Sequence, residues 1–163
     1  MSEAIKFIKR QSIGMGANPP AFDKIEDFQP RRGFARVNPL LMHNYGRNIY
    51  EKGEKIGYAL DVRICGYRGL PINQIINIGF EVDGKWIPDE CKFVWYKGRK
   101  FPILDIGTGK LDNDFFWKYT DYLRIFLAIP GGIPQGVYKV KYGLALRDHY
   151  SSTAFCEKEV TIV

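Results

Sequence analysis

The residues able to carry chemistry are few and scattered. His43 and His149 are the two histidines of a 163-residue chain, and no HxH, HExxH or carboxylate–histidine spacing surrounds them. A metal site built from this chain alone is therefore not expected. Ser12, Ser151 and Ser152 lack the GxSxG elbow that raises a nucleophile on a strand-to-helix turn, and no glycine-rich loop precedes a helix. Asp105, Asp112 and Asp114 border a polar loop too sparse in oxygen ligands for calcium. Cys65, Cys91 and Cys156 are odd in number and widely spaced, without a CxxC pair. They argue against a disulfide framework and for a reducing cytosol.

What remains is a set of polar and aromatic residues at strand ends and corners: Tyr67, Arg68, Pro71, Trp117, His149 and Tyr150. Residues 66–71 read GYRGLP, and two glycines and a proline around Tyr67 and Arg68 hold the backbone while presenting one aromatic and one guanidinium. For these two residues a purely structural corner is the competing reading. Trp117 can equally be core or interface packing, and His149 an ordinary surface loop residue. Binding residues gather on loops at the ends of rigid scaffolds, so all six are candidates for a partner interface or site rim.

The elements that must position them read as strands. Ile56, Tyr58, Leu60, Val62 and Ile64 alternate with Gly57, Ala59, Asp61 and Arg63, a period of two with one buried face. Residues 76–82 form a second strand, ending in Asp83-Gly84. This is a strong two-residue hairpin signal, because a type I′ turn requires positive φ at both central positions. Lys97-Gly98 gives a second, weaker one between residues 91–96 and 99–104. Residues 123–129 and 138–146 alternate again around the rigid 130–136 turn, PGGIPQG, and a last strand ends at Val163.

Residues 1–55 differ. Gly14, Gly16, Pro19, Pro20, Pro30 and Pro39 break any long element, residues 23–28 suit a single helical turn, and residues 42–55 are polar. This third reads either as an extended arm, packed on the domain or on a partner, or as a strand-plus-loop extension of the same sheet. The expected fold is all-β: an antiparallel β-sandwich, jelly-roll-like, of seven to nine strands over residues 56–163, with an N-terminal arm over 1–55.

Composition is consistent with one folded domain: 45% hydrophobic, 15% aromatic, with 17 glycines and 9 prolines. No stretch approaches the ~20 apolar residues of a membrane span, and residues 1–10 have no apolar core of a signal peptide. The net charge of +6 is concentrated in the N-terminal third, and its bland reading is solubility. Arg31, Arg32 and Arg36 around Gly33-Phe34 are a weak hint of nucleic-acid binding, ranked last and not expected.

Three ordered segments carry a family resemblance: DVRICGYRGLPINQI, FEVDGKWIPDECKFVWYKGRKFPILDI and LRIFLAIPGGIPQGVYKVKYGLAL. Together they resemble the small (beta) subunit of bacterial C-glycoside deglycosidases, over roughly the last two thirds of the chain. The N-terminal third and residues 147–154 depart from the family's pattern. The resemblance implies a β-sandwich that assembles with a larger TIM-barrel alpha subunit as a hetero-oligomer. That partner would carry a divalent metal, manganese by family habit, and a histidine base, while this chain would hold no catalytic residue and no cofactor. The implied reaction of the complex is cleavage of the C–C bond between a 3-oxo-sugar and an aromatic aglycone such as a flavonoid. The competing reading is a stand-alone β-sandwich module binding carbohydrates or aromatic glycosides, with Trp117 and Tyr150 as stacking platforms.

Overall fold

Period-two alternation gives strands, and two-residue turns fold them into hairpins. A computed structural model of the chain describes residues 22–28, 39–64, 69–106, 115–147 and 153–163. Eleven strands follow one another: β1 Met42–Glu51, β2 Glu54–Val62, β3 Leu70–Pro71, β4 Ile75–Val82, β5 Lys85–Trp86, β6 Lys92–Tyr96, β7 Arg99–Pro102, β8 Phe116–Trp117, β9 Leu123–Leu127, β10 Gly136–Leu146 and β11 Thr153–Ile162. The all-β expectation holds. Nine strands form one curled sheet, a half-barrel, in the order β5-β4-β10-β11-β1-β2-β9-β6-β7, and β3 and β8 form a separate two-stranded ribbon.

Both hairpin turns read from the sequence are present: Asp83 and Lys97 take φ of 46° and 50° before their glycines. A third, Lys52-Gly53, joins β1 to β2 with Lys52 at φ 51°. Of the two alternatives left open for residues 1–55, Met42–Glu51 takes the strand. It lies inside the sheet, antiparallel to β2 and parallel to β11. This β1–β11 contact is the one parallel pairing among the described strands.

The inner face of the curl is filled by its own side chains. Leu60, Val62, Ile78, Phe80, Val94, Leu123, Ile125, Tyr142, Leu144 and Val160 join one core cluster, and Tyr142 stacks on Phe80 with centroids 5.5 Å apart. A second, smaller cluster covers the outer face of β4, β10 and β11. The 3-10 turn Ile25–Phe28 lays Phe22, Ile25 and Phe28 against Ala145 and Phe155. Phe28 rests over Gly79 and Gly143, which are cross-strand partners. Any Cβ at either position would meet its ring.

A buried polar group ties this cover to the sheet. Lys92 is wholly buried, paired with Asp89 at 2.8 Å, and donates to the carbonyl of Ile78 on β4 and to Asn77 Oδ1. The Asn77 amide donates to Phe22 O at 3.0 Å and to Asp89 Oδ1 at 3.3 Å. Removing one partner of a buried ion pair strands the other charge, at a cost of about 3–5 kcal/mol. Asp89→Ala is therefore expected to lower unfolding free energy by that amount in urea denaturation, with the m-value unchanged.

The uncovered outer face as a candidate functional site

Side chains on successive strand positions point to opposite faces, so residues flanking the core positions of β1, β2, β9, β6 and β7 share the outer surface. Register makes two rows of them. One runs Lys100–Trp95–Arg124–Asp61 across β7, β6, β9 and β2. The next runs Pro102–Phe93–Phe126–Ala59–Arg47 and reaches β1. Phe93 and Phe126 lie 6.0 Å apart, with the Lys100 ammonium 4.8 Å from the Phe126 ring centre. Lys100 also lies 5.4 Å from the Trp95 ring centre.

Arg124 and Asp61 face each other as a fork on a carboxylate: Nε donates to Oδ1 at 3.0 Å and Nη2 to Oδ2 at 3.3 Å. Above them Arg63 stacks on Tyr122, 4.4 Å from the ring centre, and His43 meets the same ring edge-on at 5.2 Å. The backbone N–H of Tyr45 donates to His43 Nδ1 at 3.1 Å. Among the described residues the Arg63 Nε is a buried donor with no hydrogen-bond partner. Two hollows flank Asp61. One, of about 270 Å³, is lined by Trp95, Lys97, Tyr122 and Arg124. The other, of about 300 Å³, lies against His43, Tyr45, Arg47 and Val163.

Among the described residues no three His, Cys, Asp or Glu side chains group as a metal site. The perturbed groups are structural. Burial pushes the Tyr96 hydroxyl up; the N–H of Lys118 opposes this, and its hydrogen bond to Asp121 at 2.7 Å adds to it. Burial likewise raises the Cys91 and Cys156 thiols, both free.

The residues singled out from the sequence fare unevenly. For Trp117 the structure selects the core-packing alternative: it is fully buried on β8, its indole N–H donating to Asp121 O at 3.0 Å. Pro71 is half-buried beside Phe116 in the β3–β8 ribbon. Tyr67, Arg68, His149 and Tyr150 lie outside the described residues. The row Trp95–Arg124–Asp61 was missed. Its residues stand at the outward positions of strands whose alternation was legible, but nothing local says that those strands are neighbours.

The family model of the C-glycoside deglycosidase beta subunit matches residues 37–150. The chain belongs to this family. A curated relative, the C-glycoside deglycosidase beta subunit of Eubacterium cellulosolvens, is 28% identical over 106 residues, 64% of this chain and 69% of the relative. The turn motifs behind the resemblance prove architectural. At the 130–134 turn Gly131 and Gly132 take φ of 82° and 59°, a left-handed pair that only glycine adopts readily. Asn48 on β1 clamps this turn, donating to Ile133 O and accepting from Ile133 N, both at 2.8 Å. The family's recurring segments thus build the frame, and the outer face is what the frame displays.

The Arg124–Asp61 pair is partly solvated, with side chains 31% and 24% exposed, and such pairs contribute roughly 0–1 kcal/mol. Asp61→Asn should therefore shift the thermal midpoint by no more than a few degrees in calorimetry.

Proposed function

We propose that this chain is the non-catalytic beta subunit of a C-glycoside deglycosidase and docks through its uncovered outer face onto a larger alpha subunit of TIM-barrel form. The observation that carries the reading is the contrast between the two halves of the outer surface. The half over β4, β10 and β11 is sealed by Phe22, Ile25 and Phe28. The half over β1, β2, β9 and β6 presents Tyr45, Arg47, Phe93, Trp95, Tyr122 and Arg124 without cover from the described residues, Tyr45 being 60% exposed. Tyr, Trp, Phe and Arg are the residues enriched at protein interfaces.

In the reaction we assign to the complex, a 3-oxo group acidifies the adjacent sugar C–H. A base removes that proton to give an enediolate, and elimination releases the aromatic aglycone, its carbon taking up a proton. A divalent metal, manganese by family habit, would stabilise the enediolate from the alpha subunit. This chain supplies no group to those steps; its part is to hold the partner's fold and shape the surroundings of its site. Tyr67 and Arg68, which lie in sequence between β2 and β3, are proposed to extend the docking face. The free thiols of Cys91 and Cys156 favour a reducing, cytoplasmic setting, and among the described residues no helix is long and apolar enough to cross a membrane.

The test is co-expression with the larger subunit. Tyr45→Ala combined with Arg47→Glu should cut co-purification by at least about tenfold, the scale of one lost interface anchor. Arg68→Ala should weaken it further, while the circular dichroism of the isolated chain stays unchanged. Undiminished assembly and metal-dependent activity in the triple variant would move the interface elsewhere on the molecule.

A further inference from the structure

The short segment lying over β4, β10 and β11 is built as a unit of its own. Phe22, Ile25 and Phe28 stand three residues apart, and a 3-10 turn of three residues puts such positions on one side. All three are at most 3% exposed. The Asp27 carboxylate closes the turn from within, accepting the N–H groups of Asp23 at 2.9 Å and Lys24 at 3.2 Å. Asp27 N donates to Lys24 O at 3.1 Å. The segment adds no strand to the sheet.

Its seat is prebuilt. Gly79 and Gly143 face each other across β4 and β10, and the Phe28 ring fills the space where their side chains would stand. Ala145 and Phe155 continue the floor, and Trp86 stands at the rim, 6.3 Å from Phe28 between ring centres.

The frame beneath is complete without the segment. The main core cluster contains none of its residues. Asn77 donates to Phe22 O, but its amide also reaches Asp89, and its Oδ1 accepts from Ile78 N and the Lys92 ammonium. The buried ion pair therefore keeps its partners when Phe22 leaves. Seating the segment sets the burial of three apolar side chains against the ordering of seven residues, opposing terms of similar size. Local opening therefore costs far less than unfolding the sheet. Residues 29–38 tether the segment to Pro39 with a reach of up to about 35 Å. The two strand spacings from β10 to β1 amount to roughly 10 Å, so the tether leaves room for departure.

We infer that the glycine-floored socket is a peptide-binding site and that Phe22–Phe28 is its reversible occupant in cis, a plug that leaves and reseats without unfolding the sheet. The ligand class is a short turn of the pattern Phe-x-x-Ile-x-x-Phe. The site lies on the half of the outer surface away from the docking residues, and it does not rest on the docking reading. A segment on a short tether acts at an effective concentration of about 1 mM, so an intrinsic Kd of about 0.1 mM keeps the socket mostly filled.

The test uses the full-length chain carrying Phe28→Asp, whose own segment cannot reseat, and a capped peptide of residues 22–28. The variant should keep the far-UV circular dichroism of the parent. Calorimetric titration should show saturable peptide binding with a Kd of about 0.1 mM, and the peptide should raise the variant's thermal midpoint. Adding Gly143→Ala should weaken binding at least about tenfold, because the new Cβ takes the place of the ring. The wild-type chain should bind the peptide about tenfold more weakly than the Phe28→Asp variant, since its own segment competes. Loss of the sheet in Phe28→Asp would overturn the inference, because the segment would then be part of the fold rather than a plug. Absence of saturable binding, or binding that neither Gly143→Ala nor the wild-type segment weakens, would overturn it too. A wild-type dimer that the peptide dissociates would overturn the assignment in cis and give the socket to the segment of a second copy.

Discussion

A buried lysine holds the curl of this sheet together. β4 and β6 are each second from an end of the nine-strand order, six places apart, yet Lys92 on β6 donates to the Ile78 carbonyl on β4. That carbonyl lies beyond the short pairing of β5, which covers β4 at Glu81 and Val82 only. The lysine therefore satisfies an open stretch of strand edge while crossing the gap between the two ends. A wholly buried ammonium is tolerable because Asp89 neutralises it at 2.8 Å, Asn77 completes its shell and the Trp86 ring lies 5.0 Å away. With Lys92 pointing inward, the period of two obliges Phe93 and Trp95 to point outward. The composition of the outer face is thus a consequence of where one charge is buried.

The opposite side of the curl has its own constraint. β1 is the seam between the four strands β5-β4-β10-β11 and the four strands β2-β9-β6-β7. Its parallel register with β11 is short, Tyr45 with Thr161 and Gly46 with Ile162. Side chains and terminal backbone reinforce it. Asn48 N donates to Val163 O at 2.8 Å, Val163 N to Gly46 O at 3.2 Å, and Lys158 Nζ to Met42 O at 2.8 Å. Because the Asn48 amide also grips Ile133, the seam and the glycine turn after β9 are held by one side chain. β1 therefore carries Tyr45 and Arg47 at a fixed angle to the rows beside them.

These constraints produce a molecule whose two outer halves differ in kind. One is closed by aromatic packing on a pair of facing glycines, with ion pairs such as Lys139–Glu157 and Lys141–Glu81 beyond it. The other is an open, rigid array of rings, guanidinium groups and one carboxylate.

Much of the local structure was legible in the chain itself. Alternation in residues 56–64, 123–129 and 138–146 gave the strands, Asp83-Gly84 and Lys97-Gly98 their turns, and the order of three segments the family. These are properties of neighbours in sequence, set by backbone sterics and one-sided burial. The placement of Trp117 in the core, of β1 at the seam and of Trp95, Arg124 and Asp61 in one row was decided only by the fold. Arg124 and Asp61 are 63 residues apart. Alternation states which residues share a face of their own strand, but the identity of the adjacent strand is set by long-range packing. Pairing of distant strands, and the burial of Lys92 that closes them, turned scattered outward residues into a surface.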